Sequence, residues 1–476
     1  MFPFLLAALS LLAVPTQEPN PTPGPADRIP SYVAGALSER IACREDPKQG
    51  YAVYLPSAYV ATRTWPVVYF LDARGRARLP LERFRAAADE LGWVLVSSFN
   101  SRSDTQDDPN TPALRAMWKD THERLAIDDR RVYLSGFSGG ARASVGLAIQ
   151  APTAIAGVIG CGAELADDDA PIRSVSFPYF GTVGDRDFNY YEMRALERRL
   201  ADAKAAFRIG YFEGGHDWPP AGLAREALVF LEVRGTRAGV WPKDEPRAGK
   251  LFREDAERAR SLEASGRLDA ALVRWSDAAR DFDGLTDVSE ARSQAARLEK
   301  SDEARRQDRE ARKRDDRDRA TLRRMSEKIS QAFAAPELPG ASILAAELGV
   351  PALRQRAGSA DAAERMSAQR ILANLRVQTS FYLPERFLER KDLPRARLAL
   401  GVAGAIDPDD PNIDYDLACA SARSGDAALA LKDLDRALGK GFHNFDLLET
   451  DQDFARIRDD PRFRKWVDEA KKGRPG

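Results

Sequence analysis

The chain has 476 residues, enough for two or three domains that each bury a core. Its formal net charge is −1, which excludes a protein that binds nucleic acid or an acidic membrane surface through its overall charge. The three cysteines, Cys43, Cys161 and Cys419, are too few for a disulfide framework and lack metal-ligand spacing. The sequence leaves open whether Cys43 and Cys161 pair in an oxidising compartment.

An apolar stretch from Phe2 to Val14 begins the chain, and prolines follow it as far as Pro30. The stretch is shorter than the about 20 residues that span a bilayer, and it resembles the apolar region of a secretory signal peptide. Residues 1–30 are therefore predicted to be a signal peptide and a stiff spacer. We expect an exported protein, periplasmic or extracellular, with no stable membrane span after signal removal; a retained anchor or a disordered start is the alternative.

Short apolar runs alternate with helical patterns between about residues 50 and 235. This alternation predicts an α/β fold with a doubly wound, mostly parallel sheet. "GYAVYLP" predicts an edge strand at the start. The other predicted strands are 65–73, 93–100, 131–137, 156–162, 177–184 and 208–215, and the predicted helices are 79–92, 111–127, 139–151, 190–207 and 219–233.

The stretch "GFSGG" (136–140) places Ser138 between a predicted strand and a predicted helix. A serine on such a sharp turn exposes its hydroxyl above the sheet, and the residues two before and two after it must be small. Gly136 and Gly140 meet this requirement. The backbone N–H of Gly139, at the start of the helix, is the natural first donor to an oxyanion. The alternative is a glycine-rich turn that binds phosphate or only reverses the chain.

A serine nucleophile needs a base, normally a histidine. His216 follows the last predicted strand in "RIGYFEGGHDWPPAG" and is the candidate base. The alternative for His216 is a loop residue at the end of a strand. His122 is expected to be an exposed helix residue, and His443 belongs to the helical half of the chain.

The acid that orients the histidine is sought in "GDRDFNYYEM", after the preceding strand. Asp187 and Asp185 compete for this role. Asn189 and Glu192 have the spacing of a capping box, so Asp187 is not needed as a helix cap, whereas Asp185 stands in a predicted turn. The sequence therefore favours Asp187, with Asp185 as the alternative acid.

The order Ser138, Asp187, His216 places each residue after a strand, at the edge where open α/β sheets bind ligands. Residues 50–235 resemble an α/β-hydrolase, in particular secreted esterases of the feruloyl-esterase and polyhydroxyalkanoate-depolymerase type. "GFSGG" corresponds to the nucleophile turn, "GDRDFNY" to the acid loop and "GGHDWPP" to the histidine loop. The resemblance implies a serine hydrolase with a catalytic triad and no metal or organic cofactor.

The resemblance also implies a second oxyanion donor in the loop "FLDARGRARLP". By position this donor is the N–H of Ala73, or else that of Arg74. Asp72 departs from the family pattern, because an anion beside a developing oxyanion opposes catalysis. The alternative is that Asp72 points away and pairs with Arg74 or Arg76.

Beyond Trp241 the pattern is almost continuously helical, and similar segments recur at an offset of 34 residues. "SGRLDAALVRWSDAAR" and "SGDAALALKDLDRAL" have the same internal spacing of small residues, and "KDLPRARLALGVAGAIDP" lies 34 residues before the second of them. These segments, within 250–285 and 380–440, resemble degenerate tetratricopeptide repeats. The mixed-sign run 303–319 predicts a single solvated helix and not a nucleic-acid surface.

The predicted domains are 1–30, 31–237 (α/β-hydrolase), 238–335 (repeat-like helices and the long charged helix) and 336–476 (a second helical domain). The expected function is an exported serine hydrolase of small or polymeric carboxylic esters, with a helical region that docks a protein partner. A peptidase or another acyl transfer is a less favoured use of the same residues. The alternative is a catalytically inactive scaffold whose repeat-like helices bind protein.

Overall fold

The computed structural model describes residues 32–105, 107–165 and 175–472. The predicted signal peptide and its spacer, residues 1–30, lie outside these residues. No helix in this described part is both long and apolar enough to cross a membrane. The contacts of the chain divide it into two compact units, of which the first contains Met1–Asp185 and Asn189–Glu310 and the second contains Arg186–Phe188 and Ala311–Gly476.

Eight strands of the first unit form one mixed sheet. They are β1 (Ile41–Ala42), β2 (Gly50–Tyr54), β3 (Trp65–Asp72), β4 (Val94–Ser98), β5 (Ile127–Phe137), β6 (Gly157–Cys161), β7 (Tyr179–Gly184) and β8 (Phe207–Phe212). Their order is β1-β2-β4-β3-β5-β6-β7-β8. β2 is antiparallel to both neighbours, and all other neighbouring pairs are parallel. The prediction that β2 is an edge strand is wrong, because the two-residue β1 pairs with its outer side.

Five helices cover the two faces of the sheet. They are α1 (Arg78–Leu91), α2 (Asn110–Arg124), α3 (Gly139–Gln150), α4 (Tyr190–Asp202) and α5 (Ala221–Arg237). Successive side chains of a strand point to opposite faces, so β3 sends Val67 and Tyr69 into a core with α2, α3 and α4. Val68 and Phe70 enter a second core with α1 and α5. These two cores confirm the predicted doubly wound α/β architecture.

The first unit continues past the sheet through α6 (Glu245–Ala264), α7 (Leu268–Asp281) and α8 (Ser289–Glu299) to the start of α9 (Asp302–Ala334). Arg208 of β8 is 7% exposed and donates to Asp281 Oδ2 at 2.7 Å and to Asp255 Oδ2 at 2.8 Å. Breaking such a buried pair leaves an uncompensated charge, which is strongly destabilising. The predicted boundary between 237 and 238 therefore falls inside one compact unit.

The second unit is helical from residue 311 onward. After α9 it contains α10 (Ala341–Glu347), α11 (Val350–Ala357), α12 (Ala362–Val377), α13 (Leu383–Glu389), α14 (Leu393–Ile406), α15 (Pro411–Arg423), α16 (Ala427–Gly439), α17 (Phe445–Thr450) and α18 (Pro461–Lys472). The run 303–319 lies in α9 as predicted, but it is not solvated all round, because Asp315 and Asp318 are buried.

The three similar segments are pairs of helices joined by a short turn: α6–α7, α13–α14 and α15–α16. Each turn contains one residue with a left-handed backbone, Gly266, Lys391 or Gly425. The equivalent small residues of the second helices have no exposed surface, and they are Ala271, Ala278, Ala396, Ala403, Ala430 and Ala437. Small buried side chains let the two helices of a pair approach closely. The assignment of these pairs to the tetratricopeptide family stays a prediction.

Candidate active site

Ser138 occupies a sharp turn between β5 and α3, with φ 56° and ψ −123°. A residue other than glycine in so sparsely populated a conformation carries strain of about 1–3 kcal/mol, and such strain is concentrated at functional sites. A Cβ atom on Gly136 would lie 2.0 Å from the carbonyl oxygen of Gly140. The glycines on both sides of Ser138 are therefore required by backbone contact, as the sequence predicted.

The start of α3 lies directly against the end of β3. A Cβ atom on Gly140 would lie 1.9 Å from the carbonyl oxygen of Leu71. The first N–H groups of an α-helix have no acceptor within the helix, so the N–H of Gly139 is available at this position. The N–H of Arg74, one of the two candidates for the second donor, instead donates to Asp72 Oδ1 at 2.8 Å. Ala73 is the remaining candidate of the two.

Asp72 has no exposed surface, and its carboxylate is fully engaged. Arg76 donates to both of its oxygens, through Nε to Oδ1 at 3.0 Å and through Nη2 to Oδ2 at 2.9 Å. The backbone N–H of Arg76 also donates to Oδ1, and the indole N–H of Trp218 donates to Oδ2. Burial by itself raises the pKa of Asp72, but the hydrogen bonds from Arg76 and Trp218 outweigh it and hold that pKa below its usual value. Asp72 is thus an ionised group whose charge Arg76 compensates.

The ring of His216 lies beside the turn that carries Ser138. It packs against Phe137, the residue before Ser138, with ring centroids 4.5 Å apart. A Cβ atom on Gly162 would lie 3.1 Å from His216 Cε1. The N–H of Ser138 donates to the carbonyl of Cys161, the neighbour of Gly162, at 2.8 Å. The same short piece of backbone, Cys161 and Gly162, therefore lies next to both Ser138 and His216.

Asp185 secures the loop that leads to His216. Its Oδ1 accepts the N–H of Gly214 at 3.0 Å, and its own N–H donates to the carbonyl of Phe212 at 2.8 Å. A Cβ atom on Gly184 would lie 2.2 Å from the carbonyl oxygen of Gly215. The end of β7 and the loop after β8 are thus in backbone contact, and Asp185 holds them together.

Asp187 is 1% exposed and lies three residues after the end of β7. The capping box that favoured it over Asp185 is absent, and that part of the prediction is wrong. Asn189 is the N-cap residue of α4, but its side chain makes no cap hydrogen bond and donates to the carbonyl of Gly162 at 2.7 Å. Glu192 Oε1 accepts from Arg142 and from the N–H of Glu164 instead.

One further side chain near the site, that of Ser103, carries no recognisable signal in the sequence. Ser103 lies directly against Gly139, because a Cβ atom on Gly139 would be 2.1 Å from Ser103 Cβ. The N–H of Ser103 also donates to the carbonyl of Ala73 at 3.0 Å. Trp218 is 1% exposed and lies two residues after His216. Ser103 meets Gly139, and Trp218 meets Asp72, only because loops distant in the chain come together.

His122 is not the exposed helix residue that the sequence predicted. Its side chain is 19% exposed and stacks on Trp118 with ring centroids 4.7 Å apart. Its Nε2 lies 3.2 Å from Asp129 Oδ1. These contacts give His122 a structural role away from Ser138.

The cysteines Cys43, Cys161 and Cys419 are all buried, free thiols, so Cys43 and Cys161 are not paired. Among the described residues, Cys419, Asp451 and Asp453 bring three ligand-type atoms within 4.8 Å of one another. Burial, and then the charge of Asp451, raises the pKa of the Cys419 thiol. This keeps the thiol in the protonated form, whereas metal ions bind the thiolate.

No protein-family model matches the chain, and no curated protein matches it. Solved structures that it resembles include a thermostable esterase at 18% identity and a TM-score of 0.32, with 42% of this chain and 62% of that one covered. A ferulic acid esterase matches at 16% identity and a TM-score of 0.31, with 40% and 95% covered. The feruloyl esterase module from Clostridium thermocellum, complexed with sinapinate, matches at 14% identity and a TM-score of 0.34, with 43% and 90% covered.

Proposed function

We propose that the chain is a serine hydrolase that acts on carboxylic esters. The observation that carries this proposal is the turn at Ser138, which is strained, enclosed by glycines and flanked by the His216 ring. A turn that only reversed the chain has no need of strain at a serine, and strain is retained where the surrounding structure imposes it. A phosphate-binding turn has no need of a histidine packed against the preceding residue.

In the proposed reaction Ser138 Oγ attacks the ester carbonyl while His216 accepts its proton. The N–H groups of Gly139 and Ala73 donate hydrogen bonds to the oxyanion of the tetrahedral intermediate. His216 then gives the proton to the leaving alcohol, and an acyl group remains on Ser138. Water, activated by His216, attacks this acyl group and releases the carboxylic acid.

Asp187 is the proposed acid that orients His216. Its position after β7 and its burial support this role, and the engagement of Asp185 with Gly214 argues against the alternative. Asp187→Asn should lower kcat by about 10³- to 10⁴-fold with little change in KM. Asp185→Asn retains an acceptor for the N–H of Gly214 and should lower kcat much less. The reverse ranking would reassign the acid to Asp185.

The first experiment is labelling of the purified protein with a fluorophosphonate probe, followed by hydrolysis of short p-nitrophenyl esters. Ser138→Ala should abolish both signals. Ser144→Ala is the matched control, because Ser144 lies in α3, the helix that begins directly after Ser138, is fully buried and has a hydroxyl that makes no hydrogen bond. A folded wild-type protein with neither signal would overturn the proposal.

The proposal is also supported by Arg76, which donates to both carboxylate oxygens of Asp72 and so compensates the charge that would oppose an oxyanion. We also propose that the protein is exported, because of the apolar stretch Phe2–Val14, and that the helix pairs bind a protein partner.

Fractionation of cells and sequencing of the mature N-terminus test the proposed export. Co-purification of a partner with the Ser138→Ala variant, which leaves any helical docking surface intact, tests the proposed partner binding.

A further inference from the structure

Asp72 connects two loops that are far apart in the sequence. Its Oδ2 accepts the indole N–H of Trp218 at 2.9 Å, across 146 residues of chain. Asp72 immediately precedes Ala73, the proposed second oxyanion donor. Trp218 stands two residues after His216, the proposed base. One carboxylate is therefore attached to both loops that must be placed correctly around Ser138.

On the side of the oxyanion loop, Asp72 Oδ1 accepts the N–H of Arg74 at 2.8 Å and that of Arg76 at 3.1 Å. These two bonds close the turn that follows β3 and fix the peptide groups next to Ala73. Ser101 adds a hydrogen bond from its hydroxyl to the carbonyl of Asp72 at 2.8 Å. The loop is thus held by a buried acceptor and not by contacts with solvent.

On the side of the histidine loop, Trp218 is 1% exposed and packs among three phenylalanine rings. Its ring centroid lies 5.6 Å from that of Phe137, 5.9 Å from that of Phe70 and 6.4 Å from that of Phe84. The His216 ring contacts the same Phe137 ring. A shift of Trp218 therefore moves the surface on which the imidazole rests.

We propose that Asp72 is a positioning residue. It fixes the position of the oxyanion loop relative to His216, because its carboxylate binds Arg74, Arg76 and Trp218 at the same time. The inference rests on the proposed serine hydrolase. Asp72 contacts no reacting atom, and its effect passes through Ala73 on one side and His216 on the other. Displacements of about 1 Å in such groups lower the rate by about a hundredfold, so the carboxylate acts on kcat more than on ester binding.

The test compares Trp218→Phe with Trp65→Phe. Both tryptophans are 1% exposed, and each donates one indole hydrogen bond at 2.9 Å, Trp218 to Asp72 and Trp65 to the carbonyl of Val60. Trp65 begins β3, at the opposite end of the strand from Asp72. Both variants should lose similar stability. Only Trp218→Phe should lower kcat, by about ten- to a hundredfold with KM nearly unchanged.

A second variant, Asp72→Asn, keeps the side-chain volume but removes the charge that Arg76 pairs with. It should lower kcat at least as much as Trp218→Phe. Wild-type kcat in Trp218→Phe and Asp72→Asn, or an equal loss of kcat in Trp65→Phe, would overturn the positioning role while Ser138 stays the nucleophile. A folded wild type without probe labelling would overturn both the proposed function and this inference.

Discussion

Replacement of Gly140 by alanine should damage the fold and the proposed catalysis together. The new Cβ atom would lie 1.9 Å from the carbonyl oxygen of Leu71. A carbon–oxygen contact needs about 3.3 Å, so β3 and α3 must separate by about 1.4 Å. Both partners are backbone, and neither can rotate away. Overpacking of this kind costs about 1–3 kcal/mol.

Gly146→Ala is the matched control, because Gly146 lies in the same helix and a Cβ atom there meets nothing within 4 Å. The alanine should stabilise the helix by about 1 kcal/mol. The free energies of unfolding of the two variants should therefore differ by about 2–4 kcal/mol. Urea unfolding followed by tryptophan fluorescence measures this difference in the first unit, since only Trp466 of the tryptophans lies in the second.

The activity of the same two variants tests the site. The forced gap between Gly140 and Leu71 lies beside the N–H of Gly139 and two residues before Ala73. Loss of one oxyanion donor costs about 10²- to 10³-fold in kcat, so Gly140→Ala should show a loss of this size and Gly146→Ala none. Equal stability and equal kcat in both variants would show that the contact between Gly140 and Leu71 is not as the structure has it.

Three other outcomes are expected. Burial, and then the charge of Asp410, raises the pKa of Asp416 to about 7 in the folded protein. The stability that the protonated carboxyl contributes is complete below the unfolded pKa and is lost as the pH rises through 7. Asp416→Asn should therefore raise the free energy of unfolding by up to about 4 kcal/mol above pH 8 and by little near pH 4, as calorimetry can check. Trp275→Ala should cost about 3–5 kcal/mol in urea unfolding, whereas Val273→Ala, at an exposed position of the same helix, should cost little. Burial raises the pKa of Cys161 to about 12; Ellman's reagent should label this thiol at neutral pH only after denaturation, and labelling of the folded protein would contradict its burial.

Much of the first unit could be predicted because its signals are local. The strands β3 to β8 are apolar runs bounded by polar or glycine-rich stretches, and each was placed by this pattern. The turn at Ser138 was also predictable, since the steric demand falls on Gly136 and Gly140 within five residues. β2 was misplaced at the edge because β1 has only two residues and leaves no pattern.

The interpretation of Asn189 failed for a different reason. Its spacing to Glu192 fits a capping box, and nothing nearby in the sequence competes with that. In the structure Asn189 Nδ2 donates to the carbonyl of Gly162, which follows another strand, and Glu192 Oε1 accepts from Arg142 and from the N–H of Glu164. Side-chain hydrogen bonds go to the best partner in space, and that partner was invisible to a local pattern.

The sequence by itself determined the alternation of strands and helices, the turn at Ser138 and the helix pairs, because each depends on residues that are close together in the chain. Only the tertiary structure decided the state of Asp72. As a sequence feature it is an anion beside a proposed oxyanion site, but Arg76 compensates its charge and Trp218 reaches it from 146 residues away. The energy of a buried charge depends on which partners surround it, and the packing of the sheet brings those partners together.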